Sequence, residues 1–383
     1  MPYKTLHTYQ ELKNETEIKK LTTGADYRDP KYRKEVFMKF YEFHLKYASH
    51  PGCVYYLMPY IVDSLNLDTE SKYWLAYING VTQNLCTSLV ILKNFPDYKS
   101  LDLNHLENWH SKNWRLLDYD TDRRYQKGHL VKMIKNYKEV VGESQVKYFN
   151  RFFTFDDLWE EVINKFFMFG RLSTFSYLEY IRIMGKYIEP NHLFLDDYTG
   201  SMSHRNGLLK VIGRDDLDQH KSNPMWNGKD KIHTPDIIEG CKVLGEELLD
   251  NAKSRFQGRT FYGDVNYFTL ESTLCTYKSW FRKNRRYPNV YNDMFYLRIK
   301  KAEENWKHKP KILEELKIFW KARKHYLPTH LRVEDSQYDP GLCPVKQNHF
   351  RETGEVLMMG EDFPEFKNNF FNKINECTLW QNL

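Results

Sequence analysis

Residues 264–287 read DVNYFTLESTLCTYKSWFRKNRRY, and their periodicity decides how the chain is read. On an α-helical wheel Asp264, Glu271, Cys275, Lys278 and Arg282 fall within an arc of roughly 60°. Leu270, Leu274, Tyr277 and Phe281 form an apolar arc beside them. Apart from Trp280 the rest is small and uncharged: Thr269, Ser272, Thr273, Thr276 and Ser279. An ordinary surface helix spreads Lys and Glu over a wide solvated face. Here every charge before Lys283 lies in one stripe, and Arg285 and Arg286 follow where the helix is expected to end. The plain reading makes Glu271, Lys278 and Arg282 surface ion pairs, contributing a few tenths of a kcal/mol each. Cys275 is then a small core residue. The functional reading makes the stripe one wall of a site.

Outward from this stretch the same periodicity recurs. A helix is expected after Pro30, with Tyr32, Val36, Phe37, Phe40 and Tyr41 on one side, and CVYYLMPYIV after Pro51 is apolar. Asp68 reads as the N-cap of a long helix reaching about Lys93. Asn79, Gly80, Gln83, Asn84 and Thr87 inside it suit close helix packing. Three helices are expected between 128 and 187, the second capped by Thr154 and stopping at Gly170. Thr234–Pro235 opens a helix of about 20 residues with acids in its first turn. Tyr291 to Trp306 and Pro310 to His325 read as two more. After Pro328 the pattern fades into turns, and Phe363, Phe366, Phe370 and Phe371 suggest a docked C-terminal helix. No run of alternating strands stands out. The fold class is mainly α: a multi-helix globular body with an irregular C-terminal extension. The expected organisation is a polar segment 1–29, a helical catalytic body 30–310, and a C-terminal helix with a wrapping extension over 311–383.

The 383 residues can bury a substantial core, and aromatic residues at 16% supply much of its apolar surface. Net charge is +6, a mild bias compatible with a polyanionic partner without requiring one. Tyrosines among Lys and Arg suit nucleic-acid binding, because rings stack on bases while cations meet phosphates; a Tyr-rich core under a Lys-rich surface explains the composition equally well. The six cysteines include no C-x-x-C pair, which argues against a zinc ribbon and against a disulfide framework. No signal peptide opens the chain and no run of 18 apolar residues occurs, so no membrane partner is expected. Nothing in the sequence sets an oligomeric state.

Walker A, G-x-G-x-x-G, H-E-x-x-H and G-x-S-x-G motifs are all absent. Two other stretches gather charge. In DYDTDRRYQKGH (118–129), Asp122, Arg123 and Arg124 are candidates, but the glycine and bidentate Glu of a calcium loop are out of register. In PNHLFLDDYTGSMSHRNGLLKVIGRDDLDQH, Ser203 reads as the cap of a short helix over Leu208–Ile212, with His204 and Arg205 beside its free N–H groups, an anion site. The same loop reads as a polar connection satisfying its own backbone. Asp196, Asp197 and, near the start of the third helix, Arg171 are further candidates. Such clusters suit electrostatic catalysis on a phosphorylated substrate, cations neutralising the leaving phosphate while a carboxylate takes a proton from the nucleophile.

The segments ESTLCTYKSWFRKNRRYPNVYNDMFY, LDDYTGSMSHRNGLLKVIGRDDLD and LDYDTDRRYQK resemble the characteristic blocks of the phage amino acid:DNA transferases, formerly alpha-glutamyl/putrescinyl thymine pyrophosphorylases. The resemblance covers roughly residues 30–310. It implies thymine hypermodification in phage DNA, within the cytoplasm of an infected host. 5-Hydroxymethyluracil, pyrophosphorylated by a separate kinase, exchanges its pyrophosphate for an amino acid such as glycine or serine. It also implies a fold related to helical DNA glycosylases, although the hairpin-plus-lysine signature of those enzymes is missing, which argues against base excision.

On this reading the partners are double-stranded DNA with a modified, flipped-out thymine and a free amino acid. Lys278, Arg282, Arg285 and Arg286 neutralise pyrophosphate, and His204 and Arg205 hold phosphate or a carboxylate. Glu271 or Asp264 is the base. Cys275 allows a sharper step, thiolate addition to C6 of the uracil, with Lys278 lowering its pKa. No metal site is identified, and magnesium accompanying the pyrophosphate is the one cofactor expected to be compatible. Two competing functions are a base-excision glycosylase, which releases free base, and a non-catalytic DNA-binding protein, whose binding weakens steeply with salt.

Overall fold

The computed structural model describes residues 30–335 apart from 121, 198–200, 222, 224–225, 230–231 and 281–287. In chain order the α-helices are α1 Arg33–Tyr47, α2 Val54–Leu65, α3 Thr69–Thr82, α4 Leu85–Asn94, α5 Leu103–Asn113, α6 Leu130–Val141 and α7 Gln145–Phe149. They continue with α8 Phe155–Lys165, α9 Arg171–Ile183, α10 Met202–Val211, α11 Pro235–Phe256, α12 Tyr267–Trp280, α13 Val290–Asn305 and α14 Pro310–Tyr326. No β-strand occurs among the described residues, so the body is all-α as its periodicity requires. The expected C-terminal helix and the polar segment 1–29 lie outside the described residues.

Caps set several boundaries. Asp68 accepts from Ser71 N at 2.8 Å, Thr154 from Asp157 N at 3.1 Å, and Pro235 occupies the first turn of α11 behind Thr234. The long helix expected from Asp68 to Lys93 is two. Gln83 turns left-handed at φ 48°, and the Asn84 side chain caps a new helix, accepting from Cys86 N at 3.1 Å. An Asn side chain competes with the helical ladder for backbone N–H groups and here wins. Between 128 and 187 four helices form rather than three, and the one capped by Thr154 ends at Lys165, short of Gly170.

The chain divides into two compact units. The first is assigned residues 1–50, 191–294 and 328–383; the second holds 51–190 and 295–327. The second is built on aromatic packing. Tyr77 and Tyr137 stack with centroids 3.6 Å apart, and Tyr177 meets both Tyr77 and Phe169 edge-on. Their hydroxyls are satisfied inside the core, Tyr77 donating to Met133 O and Tyr137 to Gln145 Oε1, each at 2.7 Å. Gly80 lets α3 approach α9, since a Cβ there would lie 3.0 Å from the Tyr177 ring.

In the first unit α12 is the central helix, and no residue from 267 to 279 is exposed. Its apolar arc meets α1, where Tyr277 packs edge-on against Phe37 and Phe40. The small polar residues face α1 and the turn that follows it. Tyr41 shares a hydrogen bond with Thr269 at 2.7 Å, and His50 Nδ1 lies 2.9 Å from Ser272 Oγ. Helix α10 also comes close to α12: a Cβ on Gly207 would sit 2.6 Å from Leu274 O. Arg33 of α1 grips Asp215 through both carboxylate oxygens, at 2.9 and 2.8 Å. Lys210, fully buried, reaches Asp215 at 2.7 Å and Asp218 at 3.3 Å. Burial alone would raise the Asp215 carboxyl, yet Arg33 and Lys210 hold it well below the usual carboxylate range.

Candidate active site

The site forms where α10 crosses α12. Asn266 caps α12, its Oδ1 accepting from Thr269 N at 3.1 Å while Thr269 Oγ1 accepts from Asn266 N at 3.3 Å. The helix therefore begins at Tyr267, not at Asp264, which precedes it on an exposed turn. Helix α10 likewise begins earlier than expected, at Met202. Ser203 lies within its first turn instead of capping it, because the turn is closed by the backbone, Arg205 N donating to Ser201 O at 3.1 Å. That shift of register points Ser203 and His204 at the stripe on α12.

Five side chains converge there. His204 is fully buried; its Nε2 lies 2.9 Å from Leu193 O and its Nδ1 3.1 Å from Glu271 Oε1. A carbonyl only accepts, so Nε2 carries hydrogen and Nδ1 is the ring nitrogen turned to the Glu271 carboxylate, at ion-pair distance. Cys275 Sγ is 3.4 Å from Glu271 Oε1 and 3.1 Å from Ser203 Oγ. Lys278, buried, donates to Ser203 Oγ. Burial, and then the neighbouring Glu271 charge, push the Cys275 thiol up to about 11 against the opposing pull of Lys278. The sequence-level expectation of a lowered thiol pKa is reversed, because desolvation outweighs one ammonium.

Arg205 belongs to the scaffold beneath. Its guanidinium donates to Leu195 O at 2.7 Å, to Asp197 O at 2.8 Å and to His233 Nδ1 at 3.2 Å. With His204 on Leu193 O and Ser201 donating to Phe194 O, side chains of 201–205 clamp the carbonyls of the 193–197 loop. Phe194 is held there at φ 53°, in the left-handed region. Asp196 is exposed on that loop and pairs with Lys242 at 2.9 Å. Asp122, Arg123, Arg124 and Arg171 belong to the other unit. Arg123 is buried there, donating to Gly80 O at 3.2 Å and Leu172 O at 3.3 Å, while Asp122 and Arg124 are exposed. Arg282, Arg285 and Arg286 lie outside the described residues.

His204, Glu271 and Cys275 each offer a ligand atom, and the three atoms lie within 4.8 Å of one another, a donor set of the kind transition metals use. The Lys278 ammonium on Ser203 Oγ, beside Cys275 Sγ, already supplies positive charge at that spot. A buried histidine facing a partly buried carboxylate, with a buried lysine beside them, defines a site for activating a nucleophile and stabilising a departing anion.

That class narrows on comparison. The amino acid:DNA transferase family matches residues 54–286, and the chain belongs to this family. It is 28% identical over 360 residues to a protein named serinyltransferase from Salmonella phage ViI, across 87% of this chain and 84% of that protein. No solved structure gives a significant match. The chain is thus a transferase joining amino acids to DNA, and its partners are DNA and an amino acid. No helix among the described residues is long and apolar enough to cross a membrane.

Proposed function

We propose that this transferase acts on a pyrophosphorylated 5-hydroxymethyluracil in phage DNA and replaces the pyrophosphate with serine, in the cytoplasm of the infected host. The name of the phage ViI relative supports serine; glycine is the other amino acid that the family resemblance implies. The observation that carries the mechanism is the His204–Glu271 pair at 3.1 Å, a buried histidine against a partly buried carboxylate on the helix that carries Lys278. The base is flipped from the duplex so that its methylene can reach the pair. A lone pair on the amino acid's amine or hydroxyl forms the new bond to the methylene carbon. The carbon–oxygen bond to pyrophosphate breaks, and its electrons leave with pyrophosphate. The nucleophile's proton passes to the Glu271–His204 pair.

Lys278 opposes the charge growing on the leaving group, joined by Arg282, Arg285 and Arg286 and by any magnesium that accompanies pyrophosphate. Cys275 acts as a neutral thiol hydrogen-bonded to Glu271, consistent with its raised pKa. Asp264, exposed and ahead of the helix, serves better at the rim than as the base.

Nucleoside mass spectrometry tests the reading. DNA carrying the pyrophosphorylated base is incubated with the protein and each amino acid in turn, and serine should give one new nucleoside mass. No product with any of the twenty would overturn the proposal.

A further inference from the structure

A cavity of about 220 Å³ opens beside the reaction centre, and nothing in the mechanism above uses it. Its walls are the clamped loop (His192, Phe194, Asp196), Lys242 and Glu246 of α11, and Tyr267 at the start of α12. Leu193, whose carbonyl orients His204, also lines it. Tyr267 stands one helical turn, about 6 Å, before Glu271. A ligand here would lie within one small molecule's length of the proton-accepting pair.

Resting on the proposed transfer reaction, we infer that this cavity holds the free amino acid, with Lys242 receiving its carboxylate and Asp196 and Glu246 its ammonium. A zwitterion needs charges of both signs a few ångströms apart, and the walls supply them. The Lys242 ammonium sits 2.9 Å from Asp196 Oδ1 and 3.4 Å from Glu239 Oε2, an ion pair that a zwitterion can replace pole for pole. The loop carrying Asp196 cannot drift. His204 and Arg205 grip three of its carbonyls, Ser201 holds a fourth, and Phe194 N donates to His192 Nδ1 at 3.0 Å. Pinning from beneath with charge displayed above is how a small polar ligand is bound without a large ordering cost. The apolar wall of Phe194 and the Leu195 side chain leaves room for a short side chain.

The test is steady-state transfer to the pyrophosphorylated DNA with serine varied, in the wild type, Lys242→Ala and Glu246→Gln. Both variants should raise the KM for serine at least ten-fold while the KM for DNA stays within two-fold. Ethanolamine, which lacks the carboxylate, should inhibit wild type more weakly than serine analogues that keep both poles. Lys242 and Glu246 are on the outer face of α11, so melting temperatures should be unchanged. Transfer with an unchanged serine KM in both variants overturns the pocket and leaves the transferase reading standing. Absence of transfer by the wild type with every amino acid overturns that reading and the pocket with it.

Discussion

His204 Nδ1 and Glu271 Oε1 stand 3.1 Å apart in a space closed to solvent on the histidine side, while Leu193 O fixes the opposite ring nitrogen as a donor. A proton taken up by the pair changes its charge beside Lys278. Glu271→Gln removes the acceptor and keeps the shape. Turnover should fall by about 10²–10⁴-fold with DNA affinity unchanged. His204→Asn should do the same and shift the pH profile. Activity within three-fold of wild type in both would remove the pair from the mechanism.

Cys275 should be slow to alkylate at neutral pH. With its thiol raised to about 11, the thiolate fraction at pH 7 is about one in ten thousand. Rates with a small maleimide should therefore keep climbing beyond pH 9. Cys275→Ala should keep turnover within a few-fold, whereas complete loss with the fold intact would restore covalent addition to the uracil.

Gly207 has no space for a side chain. An added Cβ would meet Leu274 O at 2.6 Å and Leu274 Cβ at 2.8 Å, both on a buried helix that cannot yield locally. Gly207→Ala should push α10 from α12 and cost about 1–3 kcal/mol in denaturant unfolding. Because Ser203 and His204 move with α10, activity should fall more than stability predicts. A variant with unchanged stability and turnover would show that the two helices do not need this contact.

Stability should decline as the solution turns mildly acidic. Burial draws His50 down to about 3, and burial with the neighbouring His50 draws His44 well below the ordinary histidine range. The unfolded chain protonates both near pH 6.5 whereas the folded chain does not. Their contribution is complete above that pH and is lost as pH falls, by about 1.4 kcal/mol per unit for each histidine. Urea unfolding at pH 7.5, 6.5 and 5.5 reads this directly, and His50→Asn should flatten the slope. A stability independent of pH across that range contradicts it.

Lys210→Met should cost about 3–5 kcal/mol, since it removes a buried cation that stands 3.3 Å from the Asp218 carboxylate and 2.7 Å from Asp215. Thermal unfolding measures the loss. Asp218→Asn in the same chain should recover part of it.

Local chemistry was enough to read most of the helices. Asp68, Thr154 and Thr234–Pro235 announce helix starts because a side-chain oxygen or a proline ring acts within one turn. The stripe of Glu271, Cys275 and Lys278 was legible for the same reason, one helical turn being a local distance. What the stripe faces was not legible. Its partners Ser203 and His204 lie some seventy residues away, and their direction depends on α10 beginning at Met202, a boundary closed by backbone hydrogen bonds rather than by a signalling side chain. The small polar residues of this stretch suit a surface and a tight helix interface equally; only packing against α1 and α10 tells them apart. Arg33, clasping Asp215 from 182 residues away, carries no local mark at all. The sequence by itself determined an all-α chain with one helix of gathered charge. The tertiary structure decided that Glu271 of this stripe faces a buried histidine, because burial and long-range contact are properties of the folded assembly and not of any window of residues.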